Sequence, residues 1–499
     1  MKTVFSHAQT ARLRLKSMPV AERLAYIRRL RELVLEEREA IMDRIQADTQ
    51  KCRTDALMSE IFPVLEHLHY LETRATQILK DRKASTPLAL MGKKSWVYFE
   101  PLGTVLVISP WNYPFYQAVV PCTLSFICGN ATIYKPSEHT PLKGLVEGLL
   151  KRAGFDENWI QVVYGDGATG SALIAEKPQK IFFTGSVKTG KRILAQASEH
   201  LIPVELELGG KDPMIVFEDV NIERAAAGAA WGKLTNSGQS CTSVERLYVH
   251  ESIYAPFKAE LTRIWSACRL GVDQEGEAEF GEMTVPFQTE ILARQLERAE
   301  KAGARVLTGK NWDRQSRRVP PILIEAAGPE QDVVREESFG PILPIIPFKT
   351  EAEVIAAAND SDYGLSASVW SKDLKRATRV ARALETGNVS INNVMLSEGN
   401  HALPFGGVKQ SGIGRYKGEF GFYSFSNIKS VLIDADSRKI EANWYPFSRR
   451  KYELFTKMMV GLFRGGISGL IQFALNGLAL ESHSQKAAKG VRPKLGRDS

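Results

Sequence analysis

From residue 103 to 210 the chain alternates short apolar, β-branched runs with segments whose apolar residues recur at helical spacing. GTVLVISP (103–110), ATIYKPS (131–137), WIQVVYG (159–165), KIFFTGS (180–186) and PVELELGG (203–210) read as strands. Helical patterns lie between them, one over 142–153 and another from Lys191. A strand that is apolar at nearly every position is buried on both faces, and strand–helix alternation builds a parallel sheet covered by helices. The expected fold class is therefore α/β, with ligands gathering beyond the carboxyl ends of the strands.

Those ends carry reactive or binding side chains. Asn112 follows the first strand, Lys135 and Glu138 the second, and Gly185-Ser186 the fourth, with Gly190 in the first turn of the next helix. Backbone N–H groups and a helix dipole at such a glycine turn suit a pyrophosphate, although many strand–glycine–helix turns bind nothing. Lys135 can donate to ribose hydroxyls, and Glu138 can accept from them and repel a 2′-phosphate, a lean toward NAD over NADP. A surface Lys–Glu pair is the plainer reading, and the basic Lys188 in GSVKTG loosens the lean. Glu207 ends the fifth strand. Downstream, NSGQSCTS sets Cys241 among small polar residues, as expected of a thiol exposed on a bend.

The rest of the chain is less explicit. Residues 20–83 read as amphipathic helices, with Pro19 suited to a first turn. KKSWVYFE (93–100) is an edge strand able to pair with KSVLID (429–434) or with another subunit. A second α/β region runs to about residue 400 and includes Glu337 and Phe339 before Gly340-Pro341. LPFGGVKQSGIGR (403–415) reads as the wall of a channel. With 499 residues the chain should form two main domains.

The net charge of +8 owes much to Lys486, Lys489, Arg492, Lys494 and Arg497, which points to a basic tail rather than a nucleic-acid face. Five scattered cysteines without CxxC pairs favour a reducing, cytoplasmic compartment and no disulfide framework or metal site. The first residues lack a signal-peptide core.

The motifs PWNYP, KPSE, FTGS, ELGGKDP, NSGQSC, EESFGP and LPFGGVKQSGIG occur in one order over residues 20–435. As a set they resemble the aldehyde dehydrogenase superfamily, in layout the class 3 and fatty aldehyde dehydrogenases and their bacterial relatives. The resemblance implies a Rossmann-type cofactor domain (1–208, interrupted by the 93–100 strand) and an α/β catalytic domain (209–402). It also implies a return segment with a small β oligomerisation element (403–435), leaving a tail at 436–499. It makes Cys241 the nucleophile, as a thiolate, with Asn112 and the Cys241 N–H holding the oxyanion and Glu207 activating water. Lys135 and Glu138 would contact the adenosine ribose, and Ser186, with Gly185 and Gly190, the pyrophosphate. Glu337 and Phe339 would lie on the nicotinamide side, with Trp111 and Leu208 as further cofactor contacts.

The implied activity is NAD(P)-dependent oxidation of an aldehyde to an acid through a thiohemiacetal and a thioester. The assembly would be a homodimer or homotetramer, and a tail bordering the substrate entrance would favour medium or long aliphatic or aromatic aldehydes. Three alternatives stand beside it: a CoA-acylating dehydrogenase, a cofactor-free thiol esterase and a non-catalytic membrane-associated scaffold.

Between Met458 and Leu480 only Arg464 is charged, and Arg464, Ser468, Gln472 and Asn476 recur every four residues. A narrow polar stripe on an apolar helix fits an interfacial helix at an anionic membrane face. The alternative is a helix packed across the substrate entrance. The uncharged part falls short of the roughly 20 residues a span needs.

Overall fold

The computed structural model describes residues 1–435 and 440–490. The chain divides into two units, one of residues 1–82 and 97–429, the other of residues 83–96 and the chain from 430 onward.

The larger unit holds two sheets. One has six strands in the order Gly412–Ile413, Val204–Glu207, Lys180–Thr184, Thr104–Ile108, Ala131–Lys135 and Ile160–Val162. All neighbours are parallel except Gly412–Ile413, which runs antiparallel to Val204–Glu207 and pairs Gly412 with Glu207. Every residue of 104–108, 131–135 and 180–184 is buried, as the continuous apolar runs require. The other sheet has seven strands, in the order Arg305–Val306, Ile322–Glu325, Ile342–Phe348, Arg246–His250, Pro213–Val216, Ser366–Trp370 and Asn388–Ile391. Only its edge strand Arg305–Val306 is antiparallel.

The helical stretch starts earlier than the periodicity predicts. Lys2–Ser17 is a helix that buries Phe5, Ala8, Ala11 and Leu15. Two alanines in that stripe leave little hydrophobic signal in the sequence. Pro19 stands just outside the next helix, Val20–Glu36, as its cap residue. At the far end helix gives way before residue 83, and Arg82–Ala84 is a strand. Lys94–Pro101 lies between that strand and Ser426–Ile433 in a three-stranded sheet, the pairing expected of the 93–100 and 429–434 segments.

In the smaller unit the tail departs from a single striped helix. Arg449–Arg464 and Gly466–Gly490 are two helices packed on each other as a hairpin. Gly465 and Gly466 have φ of 71° and 73°, a left-handed step that suits glycine and reverses the chain. The contact between the helices is close. A Cβ on Gly461 would lie 2.7 Å from the Phe473 nitrogen. Arg464 thus sits on one helix and Ser468, Gln472 and Asn476 on the other. Leu454, Phe473 and Leu480 are buried, whereas Phe463, Ile467, Leu475 and Leu478 are exposed. Among the described residues no helix is long and apolar enough to cross a membrane. Arg492, Lys494 and Arg497, and the side chain of Lys489, lie outside the described residues.

Candidate active site

The loop bearing the cysteine is forced into shape by three consecutive left-handed residues, Asn236, Ser237 and Gly238 (φ 52°, 57° and 73°). The strain is held by hydrogen bonds on both sides. The Asn236 N–H donates to Asp55 Oδ2 (2.8 Å), Ser237 Oγ to the Gly281 carbonyl (2.8 Å), and Gln239 Oε1 accepts from the Thr284 N–H (2.8 Å). A Cβ on Gly238 would come within 2.5 Å of Gly340 backbone, so only glycine fits. Cys241 follows on a turn, half-buried. Burial raises its thiol pKa well above the ordinary value, and Glu398, Glu337, Asp212 and Glu207 add to the rise. Burial, more than the neighbouring carboxyls, thus favours the thiol form of Cys241. It needs a base.

Glu207 supplies a candidate. It is buried at the end of its strand, and neither carboxyl oxygen has a hydrogen-bond partner among the described residues. Burial raises its pKa well above the usual carboxylate value, with Glu205 contributing. Glu205 itself is paired with Lys180 (2.7 Å). Both oxygens of this carboxyl are therefore free to act on a group brought into the cavity. The glycine-rich 403–415 segment braces this strand end. Ser411 Oγ donates to the Gly209 carbonyl (2.7 Å), and the Leu208 N–H to the Ser411 carbonyl (2.9 Å).

Asn112 is buried beside the cysteine loop, where its Nδ2 donates to the Gln239 carbonyl (2.9 Å). One of its two N–H groups is thus committed, and the other remains for an oxyanion. Its backbone carbonyl accepts from Lys51 Nζ (3.0 Å) and Asn236 Nδ2 (3.1 Å). Lys51 in turn is ion-paired with Glu60 (2.6 Å), both fully buried. The other Glu60 oxygen accepts from the Phe115 and Tyr116 N–H groups (2.8 and 3.0 Å). Sequence reasoning missed this brace. A Lys and a Glu inside an amphipathic helical stretch look like a solvated face.

Two cavities meet at these groups. The first, of 810 Å³, is lined by Trp111, Lys135, Glu138, Gly185, Ser186, Leu208, Glu337 and Phe339, together with Asn112, Glu207 and Cys241. Lys135 and Glu138 pair with each other (3.1 Å), Lys135 buried and Glu138 exposed, and both border this cavity. Trp111 meets Phe339 edge-on, ring centroids 5.3 Å apart. Burial pushes the Glu337 carboxyl up to about 8, and it accepts from the Gly210 N–H (3.1 Å).

Gly190 does not line the cavity. Its N–H donates to the Ser186 carbonyl (2.9 Å) within the helix, and a Cβ there would strike Leu208 at 2.8 Å. Its role is to let the helix lie close on the strand end. Ser186 is the N-cap of Val187–Ser198, its Oγ accepting from the Thr189 N–H (3.3 Å). Nor is Lys188 on the wall; Arg192, one turn further along the same helix, is.

The second cavity, of 650 Å³, is apolar and aromatic, with Met58, Phe62, Tyr113, Trp231, Ile264 and Phe405 among its walls. It too reaches Cys241 and Glu207.

A thiol and a carboxyl shared by two cavities can pass a substrate from covalent capture to hydrolysis. Residues 1–431 match the model of the "Aldehyde dehydrogenase family". The chain belongs to this family. It is an aldehyde dehydrogenase, an oxidoreductase that acts on aldehydes with NAD(P). It is 42% identical over 450 residues to a 4,4'-diapolycopene aldehyde oxidase of Methylomonas sp, covering 90% of this chain and 84% of that one. Among solved structures it is similar to an NADP-dependent enzyme of E. coli (TM-score 0.83, 30% identity, 87% of this chain and 90% of that one). It is likewise similar to the NAD+ complex of the aldehyde dehydrogenase from Bacillus cereus (TM-score 0.81, 33% identity, 87% and 89%).

The first cavity of this aldehyde dehydrogenase fits a dinucleotide on its own terms. Gly185 and Gly209 leave it open, since a Cβ on either would lie 2.5 Å from Phe183 or 2.3 Å from Glu337. A capped helix N-terminus borders it as well.

Proposed function

We propose that the enzyme oxidises aldehydes with medium or long aliphatic, or aromatic, bodies to carboxylic acids through a covalent intermediate on Cys241, with NAD preferred. The observation that carries this reading is that Cys241 and Glu207 line both cavities, one suited to a dinucleotide and one apolar. Glu138, held by Lys135 on the first wall, supports the preference for NAD.

The chain's own residues account for the proton and acyl transfers. Glu207, with its raised pKa, accepts the proton of the Cys241 thiol, and the sulfur attacks the aldehyde carbon to give a thiohemiacetal. The Asn112 amide and the Cys241 N–H hold the resulting oxyanion, each such donor being worth about 10²–10³ in rate. When bound, the cofactor supplies the hydride acceptor that makes the step an oxidation. Once Glu207 has released the thiol proton to solvent, it takes a proton from water, whose oxygen attacks the thioester carbon. The C–S bond then breaks, the acid leaves, and the proton held by Glu207 passes to the sulfur to restore the thiol. An unpartnered Glu207 favours water over CoA as the acceptor.

The test follows reduced cofactor with NAD or NADP and a series of aldehydes, wild type beside Cys241→Ala. Turnover in the wild type that falls to background in the variant supports the reading. A wild type that reduces neither cofactor with any aldehyde overturns it.

For the tail we infer contact with an anionic membrane surface, supported by the exposed Phe463, Ile467, Leu475 and Leu478 and the basic Arg449, Arg450, Lys457 and Arg464. The full chain should co-sediment with phosphatidylserine vesicles, and a chain ending at residue 447 should not. Equal sedimentation of the two, or none for either, overturns it.

A further inference from the structure

The apolar cavity is not electrically neutral. Asp55, Glu66, Glu277, Glu279 and Glu398 stand on its wall beside Glu207, against Arg269 and Lys417. Neither cation is free to receive an anionic substrate. Arg269 is spent on Glu277 (3.0 Å) and Glu279 (3.3 Å). Lys417 is buried, donates its Nζ to the Glu398 carbonyl (2.6 Å), and is boxed by the rings of Phe405, Tyr116 and Tyr416 at 4.9, 5.4 and 5.6 Å.

One of these carboxylates stands beside the chemistry. Both Glu398 side-chain oxygens accept from Thr242 Oγ1 (3.0 and 2.9 Å), and Thr242 is the residue after the nucleophile. The short helix Leu396–Gly399 presents Glu398, and its start is fixed by Met395 in a left-handed conformation (φ 59°). An aldehyde bound with its carbonyl carbon at the Cys241 sulfur would bring a second end a few bonds away into the neighbourhood of this carboxylate. A neutral alkyl or aryl body can pack on the rings and aliphatic carbon of Met58, Phe62, Tyr113, Trp231 and Phe405. Burial raises the Glu398 pKa and Lys417 opposes the rise. At a pH where Glu398 is ionised, a carboxylate on that end would meet like charge among lining residues with no uncommitted cation, the arrangement by which a site rejects a competing ligand.

We propose that Glu398 is a specificity-determining residue that turns the cavity against aldehydes carrying an anionic far end, so that the enzyme selects neutral, apolar aldehydes over oxo-carboxylates. This rests on the cysteine-dependent aldehyde oxidation proposed above. The test compares kcat/KM for butanal and for 4-oxobutanoate, which share a chain length and differ in terminal charge.

The wild type should favour butanal by about 100-fold or more, as expected where like charges face each other in a desolvated site. Glu398→Gln keeps one of the two oxygens that accept from Thr242 and removes the charge. It should narrow the ratio about tenfold, the order of one such charge pair, and Glu398→Arg should narrow it further. A ratio unchanged in Glu398→Gln, or a wild type that prefers 4-oxobutanoate, overturns the assignment. A second measurement needs no variant: butyramide should inhibit butanal oxidation by the wild type at concentrations where succinate does not. Equal or stronger inhibition by succinate also overturns the assignment. Failure of the wild type on both aldehydes instead removes the dehydrogenase reading itself, so the two failures are distinguishable.

Discussion

The two cavities that meet at Cys241 are built in opposite ways. The dinucleotide-sized cavity is made largely of strand ends and the turns after them, so that Trp111, Lys135, Gly185, Ser186 and Leu208 each lie within a few residues of an apolar strand. The apolar cavity takes its walls from helices and loops far apart in the chain: Met58 and Phe62, Tyr113, Trp231, Ile264, and Phe405. A wall of strand ends inherits its positions from the sheet's hydrogen bonds. A wall of side chains from separate helices depends on packing. The first is expected to resist change and the second to carry the specificity that differs between relatives.

The largest effect that would sharpen this comparison is at the shared boundary. Glu207→Gln should lower aldehyde turnover by about 10²–10⁴-fold, the range for a general base. Because burial favours its acid form, the fraction of ionised base grows as pH rises through the raised pKa. Wild-type turnover should therefore climb with pH along that limb, and the variant should lose the limb while still binding nucleotide. A retained limb would assign the base elsewhere.

A smaller effect is expected behind the walls. Lys51→Met strips the partner from buried Glu60, and breaking one member of such a pair costs about 3–5 kcal/mol. Thermal unfolding of Lys51→Met should show that loss. The aldehyde KM should rise more than the nucleotide Kd, because the Lys51 segment leads into the substrate wall at Met58 and Phe62. Equal changes in KM and Kd would break the contrast between the cavities.

What was readable in the sequence follows the same division. The buried strands at 104–108, 131–135 and 180–184 announce themselves, since a run buried on both faces must be apolar throughout. The residues placed after them fall on one cavity wall, with Gly190 the exception, because a glycine in a first helical turn can serve packing as well as ligand approach. Lys188 and Arg192 are separated by one helical turn, and the sequence does not say which of two basic residues on a helix faces inward. The helix Lys2–Ser17 escaped because alanines fill half its buried stripe. The tail reads as one helix because its polar residues keep a four-residue period through Gly465-Gly466. The reversal there depends on two left-handed glycines and on the close packing of Gly461 against Phe473.

The sequence by itself therefore determined the α/β sheet and the family, because each is written in local pattern and chain order. Only the tertiary structure decided the burial of Cys241 among carboxyl groups, the bracing of Asn112 by Lys51 and Glu60, and the placing of Glu398 beside Thr242. Burial and the approach of charges are properties of segments brought together across the chain, and no local period in the sequence encodes them.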